Sequence, residues 1–154
     1  MIESDALRDA EGFFHQKIPL TRAMGVRVVS HGASGFAIEA PVALNHNHMQ
    51  TAFGGSINSV ATLAAYAFVW FELREQKAEV VVAESSIRFL APIRQTIRGI
   101  CTLPDPELLA GFRSEFAGSG KARISLRVVV EENGVTAADF RGTFVAVCAR
   151  ASVG

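Results

Sequence analysis

Apolar residues along this chain change their period several times. Ala6/Leu7, Ala10 and Phe13/Phe14 recur at helical spacing, which predicts a short amphipathic helix that Ser4 could cap and Pro19 ends. RAMGVRVVSHG and SGFAIEAPV then read as two strands of a hairpin, joined by the turn His31-Gly32-Ala33-Ser34-Gly35. From Val60 to Phe71 the chain is apolar almost all round, so a helix there must be covered on nearly every side. EVVVAESSIRFLAPI returns to strand alternation. It puts Ala83, Ser85, Ile87 and Phe89 on one face and Glu84, Ser86 and Arg88 on the other, with Pro92 marking the end. QTIRGICTL reads as a further strand, and DPELLAGFRSEFAG as a short helix with an Asp cap and a proline at its first position. In KARISLRVVV, Ala122, Ile124, Leu126, Val128 and Val130 alternate with Arg123, Ser125 and Arg127, and Asn133-Gly134 predicts a tight hairpin into the last strand.

Helices and strands do not alternate regularly in this order, and tight turns join the long C-terminal strands. Both features predict an α+β fold with an antiparallel sheet. A curved sheet wrapped around the long central helix would give that helix its cover. At 154 residues the chain fits one domain over 1–154.

With 49% hydrophobic and 19% charged residues, a sizeable core is affordable and apolar surface is left over for a partner subunit. Fifteen basic residues balance fifteen acidic ones, so no net field draws the protein to nucleic acid or an anionic membrane. The apolar run Ile57 to Leu73 falls short of the ~20 residues of a membrane span, is interrupted by Asn58, Ser59 and Thr62, and includes Glu72. The opening residues carry acids where a signal peptide needs bases, so a cytoplasmic location follows by default. Cys101 and Cys148 lie in apolar runs without metal-binding spacing and read as buried core thiols.

The stretch NHNHMQTAFGGS, Asn45 to Ser56, holds the densest candidate chemistry. Gly54-Gly55 ahead of a helix lets a ligand approach backbone N–H groups that carry partial positive charge, or simply permits tight loop packing. Asn45 could orient a water or a carbonyl, or make local turn hydrogen bonds. His46 and His48 could act as bases or be solvated surface residues. Their spacing lacks a third ligand cluster, which leaves no metal site.

A polar loop with an asparagine, then Thr51-Ala52-Phe53-Gly54-Gly55-Ser56, a buried helix and a long strand ending Phe89-Leu90-Ala91-Pro92 resembles the hotdog fold of acyl-CoA thioesterases. The nearest match is the thioesterase family related to the C-terminal domain of YiiD, over roughly Pro19 to Cys148. The resemblance implies a hotdog fold, a homodimer or dimer of dimers with its site at the interface, and hydrolysis of an acyl thioester with no cofactor beyond the coenzyme A of the substrate. It casts the Gly55 N–H as the oxyanion donor, and Asn45 and Thr62 as the positioners of water. His48, Thr51, Phe53, Gly54, Ser56 and Ser85 become substrate contacts, Phe53 as an apolar wall and Ser85 facing the helix. Glu84 would lie on the outer surface. Many relatives carry a carboxylate where this helix has Thr62, so the base is missing from its usual place. Lys121 and Arg123 sit at the strand start where relatives keep basic residues near the coenzyme's phosphates, or else are ordinary turn charges. A hotdog hydratase or dehydratase and a non-catalytic acyl-CoA-binding module are the rival readings.

Overall fold

The computed structural model describes residues 2–149. Helix α1 runs Ile2–Lys17 and is followed at once by a short α2, Pro19–Ala23. Strands β1 (Arg27–Gly32) and β2 (Gly35–Pro41) form the expected hairpin. The long helix α3 covers Gly54–Glu72, and β3 (Ala78–Phe89), β4 (Thr96–Cys101), α4 (Pro106–Ser119), β5 (Lys121–Glu132) and β6 (Val135–Cys148) complete the chain. Among the described residues six strands form one sheet in the order β1-β2-β4-β5-β6-β3, antiparallel at every pairing.

This sheet curves around α3, which packs against β2, β3, β4, β5 and β6. Ile57, Val60, Ala61, Ala64, Phe68 and Phe71 of the helix are buried, and Phe36, Phe140 and Phe144 meet them from the sheet side of the core. Gly99 of β4 lets the two approach, since a Cβ there would sit 3.1 Å from the Val60 side chain. Helix α1 adds Phe14, fully buried, to the other side of α3. The cap expected on α4 is present: the Asp105 carboxylate accepts the Glu107 N–H at 2.9 Å, with Pro106 beginning the helix. Asn133 and Gly134 both take the left-handed conformation that a two-residue hairpin turn requires.

Four local expectations change. Helix α1 begins at Ile2, so Ser4 lies inside its first turn. Arg22 to Val26 is not strand: Pro19 starts a helical turn instead of only ending one, because its missing N–H and fixed φ suit a first helical position. Cys101 is buried, which pushes its thiol up to about 12, but Cys148 at the end of β6 is exposed. The alternation of β3 is broken by a bulge at Ala83, between Val82 and Glu84. Before it, Val80 and Val82 pair with the core-facing Ala146 and Phe144; after it, Ser85 and Ile87 pair with Gly142 and Phe140. The inner face of β3 is therefore Val80, Val82, Ser85 and Ile87.

Glu132, at the end of β5, holds the connection between β3 and β4. Its carboxylate accepts N–H bonds from Arg94 (3.0 Å), Gln95 (2.7 Å) and Thr96 (3.1 Å). That connection in turn holds both flanks of the loop ahead of α3, through Val42 N–H to Gln95 O (2.9 Å) and Ala52 N–H to Ile93 O (2.8 Å). Among the described residues no helix is long and apolar enough to cross a membrane.

Candidate active site

The loop from Asn45 to Phe53 is built by its own asparagines. Asn45 is buried and donates both side-chain N–H groups, to Met24 O and Pro41 O at 2.8 Å each, while its backbone carbonyl accepts the Phe53 N–H. Its amide nitrogen ties the loop to the end of α2 and is committed there. Asn47 closes the tip: its Oδ1 accepts from Met49 N–H (2.8 Å) and Thr51 N–H (3.2 Å), and its Nδ2 donates to Thr51 Oγ1 (2.9 Å). Thr51, expected to touch substrate, is buried in this knot. His46 and His48 are exposed.

The loop delivers Phe53 to the start of α3 as an N-cap residue without a side-chain acceptor. The first helical bond is Ile57 N–H to Phe53 O at 3.0 Å, and the N–H groups of Gly54, Gly55 and Ser56 precede it without a capping side chain. Ordinarily Ser, Thr, Asp or Asn fills that role. A Cβ at Gly55 would meet the Phe53 ring at 2.6 Å; that ring is 56% exposed, folds over the helix start and is free to swing aside. Phe89, at the end of β3, lies against Gly54.

One turn further on, a cleft of about 410 Å³ opens between α3, α2 and the first half of β3. Asn58, Ser59 and Thr62 line its polar side, and Leu20, Met24, Leu63, Val80 and Val82 are among its apolar walls. Thr62 donates its hydroxyl to Asn58 O at 2.8 Å and Ser59 donates to Gly55 O at 2.8 Å, so both oxygens keep lone pairs free as acceptors. Tyr66 closes the row; burial first and nearby Glu79 second push its phenol above the ordinary value, so it stays a hydroxyl donor at neutral pH. Among the described residues no carboxylate or imidazole lines this cleft.

Gly54, Gly55, Ser56 and Thr62 are thus brought onto the first turns of one helix. Other expected residues lie elsewhere. Phe53 covers Gly55 and is not among the walls of the cleft. Ser85 shares the inner face of β3 but is exposed and outside the cleft, and Glu84 pairs with Thr143 on the outer face. Lys121 and Arg123 point to the outer face of β5, opposite the buried Ala122 and Ile124. Lys121 shares a sheet row with Glu79, whereas Val130 shares one with Phe89. The nine strand positions between those rows span about 30 Å, so within one protomer neither cation reaches the helix start.

Asn58 is the residue sequence reasoning passed over. Its Oδ1 is buried without a hydrogen-bond partner, an uncommon and costly condition. The signal was present as a polar residue one turn before Thr62 in a helix that must be covered, read only as an interruption of an apolar run.

The family described as "Putative thioesterase (yiiD_Cterm)" matches residues 7–148. A protein of unknown function from Chlorobaculum tepidum is similar at 30% identity, with 96% of this chain and 97% of that one covered and a TM-score of 0.87. A structure from Shewanella oneidensis, named a "putative thioesterase", matches at 28% identity over 94% of this chain and 99% of that one, TM-score 0.86. A Pseudomonas aeruginosa protein at 23% identity, covering 92% and 95% with a TM-score of 0.78, shares the fold. The architecture is the hotdog fold that these thioesterase-superfamily proteins have in common.

Proposed function

The chain belongs to the yiiD C-terminal thioesterase family, and from that premise we propose that it hydrolyses an acyl thioester whose thiol is coenzyme A. The observation that carries this reading is the uncapped start of α3 one turn ahead of an apolar cleft on the same helix. The N–H of Gly55 points its partial charge at the oxygen of a bound thioester carbonyl, where negative charge grows as water attacks. Ser59, one turn along and with its proton committed to the Gly55 carbonyl, accepts a hydrogen from that water and orients its lone pair, with Thr62 one turn deeper on the cleft wall. Attack forms the C–O bond, the tetrahedral oxyanion collapses with cleavage of C–S, and the proton lost by water leaves with the thiol. Asn45 serves by holding the loop in place, so Asn45→Ala lowers turnover through the loop rather than through the reacting atoms.

Two copies pair along β3, the sheet edge, where Val81 and Val82 are exposed at 57% and 43%. An unpaired edge with apolar side chains invites such pairing. A second reading, an acyl-CoA binder without turnover, is favoured by the missing carboxylate or imidazole in the cleft.

Thiol release from a series of acyl-CoAs separates the two. Gly55→Pro removes the N–H, and Gly55→Ala adds the same Cβ while keeping it, so their difference isolates the donor. One oxyanion donor is worth about 100-fold in turnover, and Pro is expected to fall that far below Ala with KM little changed. Equal turnover in the two variants, or binding without thiol release in wild type, defeats the hydrolytic reading.

A further inference from the structure

The sheet has two edges, and among the described residues only the β1 edge is covered. There helix α1 takes up backbone groups: the Glu11 carboxylate accepts the Val28 N–H at 2.8 Å, and His15 Nε2 lies 2.7 Å from Val26 O. The β3 edge is twelve residues long and has β6 as its one strand neighbour among the described residues, so its outward N–H and C=O groups are a template for another strand. Opposite charges stand four residues apart on it. Glu84 and Arg88 both lie on the outer face, across from Thr143 and Asp139 of β6, and both are exposed. Asp139 is taken by Arg127, which donates to it at 3.0 and 2.9 Å. Among the described residues neither Glu84 nor Arg88 forms an ion pair. Midway between them on the same face is the small hydroxyl of Ser86.

Resting on the pairing along β3 given above, we propose that two copies join antiparallel with the two-fold axis at Ser86, so that Glu84 of each protomer meets the partner's Arg88 and the partner's Phe89 and Leu90 complete the cleft. A two-fold axis normal to a sheet passes between one residue and its own copy, and every other residue faces the position equally far on the other side. A register centred on Glu84 or on Arg88 sets like charges face to face, which is destabilising. The register centred on Ser86 opposes two hydroxyls and makes two ion pairs. Exposed ion pairs add little affinity, but like charges in their place repel strongly, so the charges select the register more than they hold it. The apolar side chains fit the same register. It sets Ala83 beside the partner's Phe89 and Val82 beside the partner's Leu90, and Val82, Phe89 and Leu90 are exposed at 43%, 54% and 52% in one protomer. The bulge at Ala83 then falls where the charged half of the edge gives way to Val80, Val81 and Val82, which wall the cleft. A single protomer therefore has an unfinished cleft.

Association and cross-linking of the full-length protein test this. By analytical ultracentrifugation over a concentration series, Glu84→Arg and Arg88→Glu are each expected to weaken the dimer about 100-fold, and the two together to restore it to within about tenfold of wild type. The second measurement keeps the register testable should a charge reversal not fold. With Cys148→Ser removing the exposed thiol, Ser86→Cys is expected to give a covalent dimer on oxidation with diamide, because directly opposite residues have Cα atoms about 4.5–5.5 Å apart, within the span of a disulfide. Arg88→Cys is expected to give none, since its own copy lies about 13 Å away along the strand. No cross-link through Ser86→Cys, a cross-link through Arg88→Cys, or single reversals that associate like wild type overturn the register. Thiol release is expected to be lost with the dimer in the single reversals and to return in the double one; full turnover by a monomeric variant overturns the completion of the cleft by the partner. If wild type and the double reversal pair as expected but release no thiol from any acyl-CoA, the hydrolytic reading fails and the interface stands.

Discussion

The two ends of α3 are treated in opposite ways. At its C-terminal end the carbonyls and N–H groups are occupied: Leu73 N–H bonds Val69 O at 3.1 Å, and Gln76 N–H bonds Leu73 O at 3.0 Å. Arg74 donates to Phe71 O at 2.6 Å, and its guanidinium lies 4.0 Å above the Phe71 ring. At its N-terminal end a phenylalanine stands where a capping side chain belongs, and glycines stand where a helix former belongs. The last half of the helix is lined by Ala64, Ala65, Phe68 and Val69, all essentially sealed, whereas Asn58, Ser59 and Thr62 of the first half face an open cleft. A single helix therefore anchors the fold along its buried face, most completely in its last half, and keeps backbone polarity available at its first turn. The sealed half supplies the stability that lets the open half remain uncapped.

Substitutions in the two halves can break that division. Phe68→Ala empties a fully enclosed site and is expected to cost about 3–5 kcal/mol of stability, read by denaturant unfolding, with turnover per folded molecule preserved. Gly55→Pro is expected to do the opposite. Proline is tolerated in a first helical turn, so unfolding shifts by less than about 1 kcal/mol while thiol release falls. If Phe68→Ala were to lower turnover per folded molecule as far as Gly55→Pro does, the two halves would not be separable. Arg74→Ala removes one carbonyl bond and one cation–ring contact and is expected to cost about 1 kcal/mol. A thermal melt checks the loss, and any accompanying change in acyl-CoA turnover would show that the C-terminal end also reaches the site.

Much of this arrangement was legible in the chain itself. The apolar run after Gly54-Gly55 fixed α3, and strict alternation with Asn133-Gly134 fixed β5 and β6, because local chemistry and burial agree there. The bulge at Ala83 was not legible, since VVVAESSI reads as continuous alternation whichever residue is the extra one. Thr62 stands out through the resemblance, as the position where many relatives carry a carboxylate, and it lines the cleft. The use of Asn45 was not legible, because its partner Met24 is 21 residues away and is brought close only by the turn at α2. Alternation also put Lys121 and Arg123 on one face of a strand, yet their distance from the helix start depends on the strand order, which no local pattern encodes. Asn58 escaped notice because a lone polar residue in an apolar helix reads as noise until its unpartnered oxygen is seen.

Glu132 has a consequence in acid. Desolvation by itself would raise its carboxyl, but the N–H bonds from Arg94, Gln95 and Thr96, with the charge of Arg94, hold it below the ordinary 4.5. A carboxylate so depressed stabilises the folded chain fully above its ordinary value, and that contribution drains away as the pH falls below about 4.5 through the folded-state value. What proton uptake then loosens is the Ile93–Thr96 segment from which the flanks of the Asn45–Phe53 loop hang. The site is thus expected to lose its shape in acid before the sheet melts. Comparing the acid limb of turnover with far-UV circular dichroism over the same range checks this: Glu132→Gln, which cannot titrate, is expected to be less active at neutral pH and to show a shallower acid limb, and superimposable limbs for the two proteins would assign the acid loss to another group.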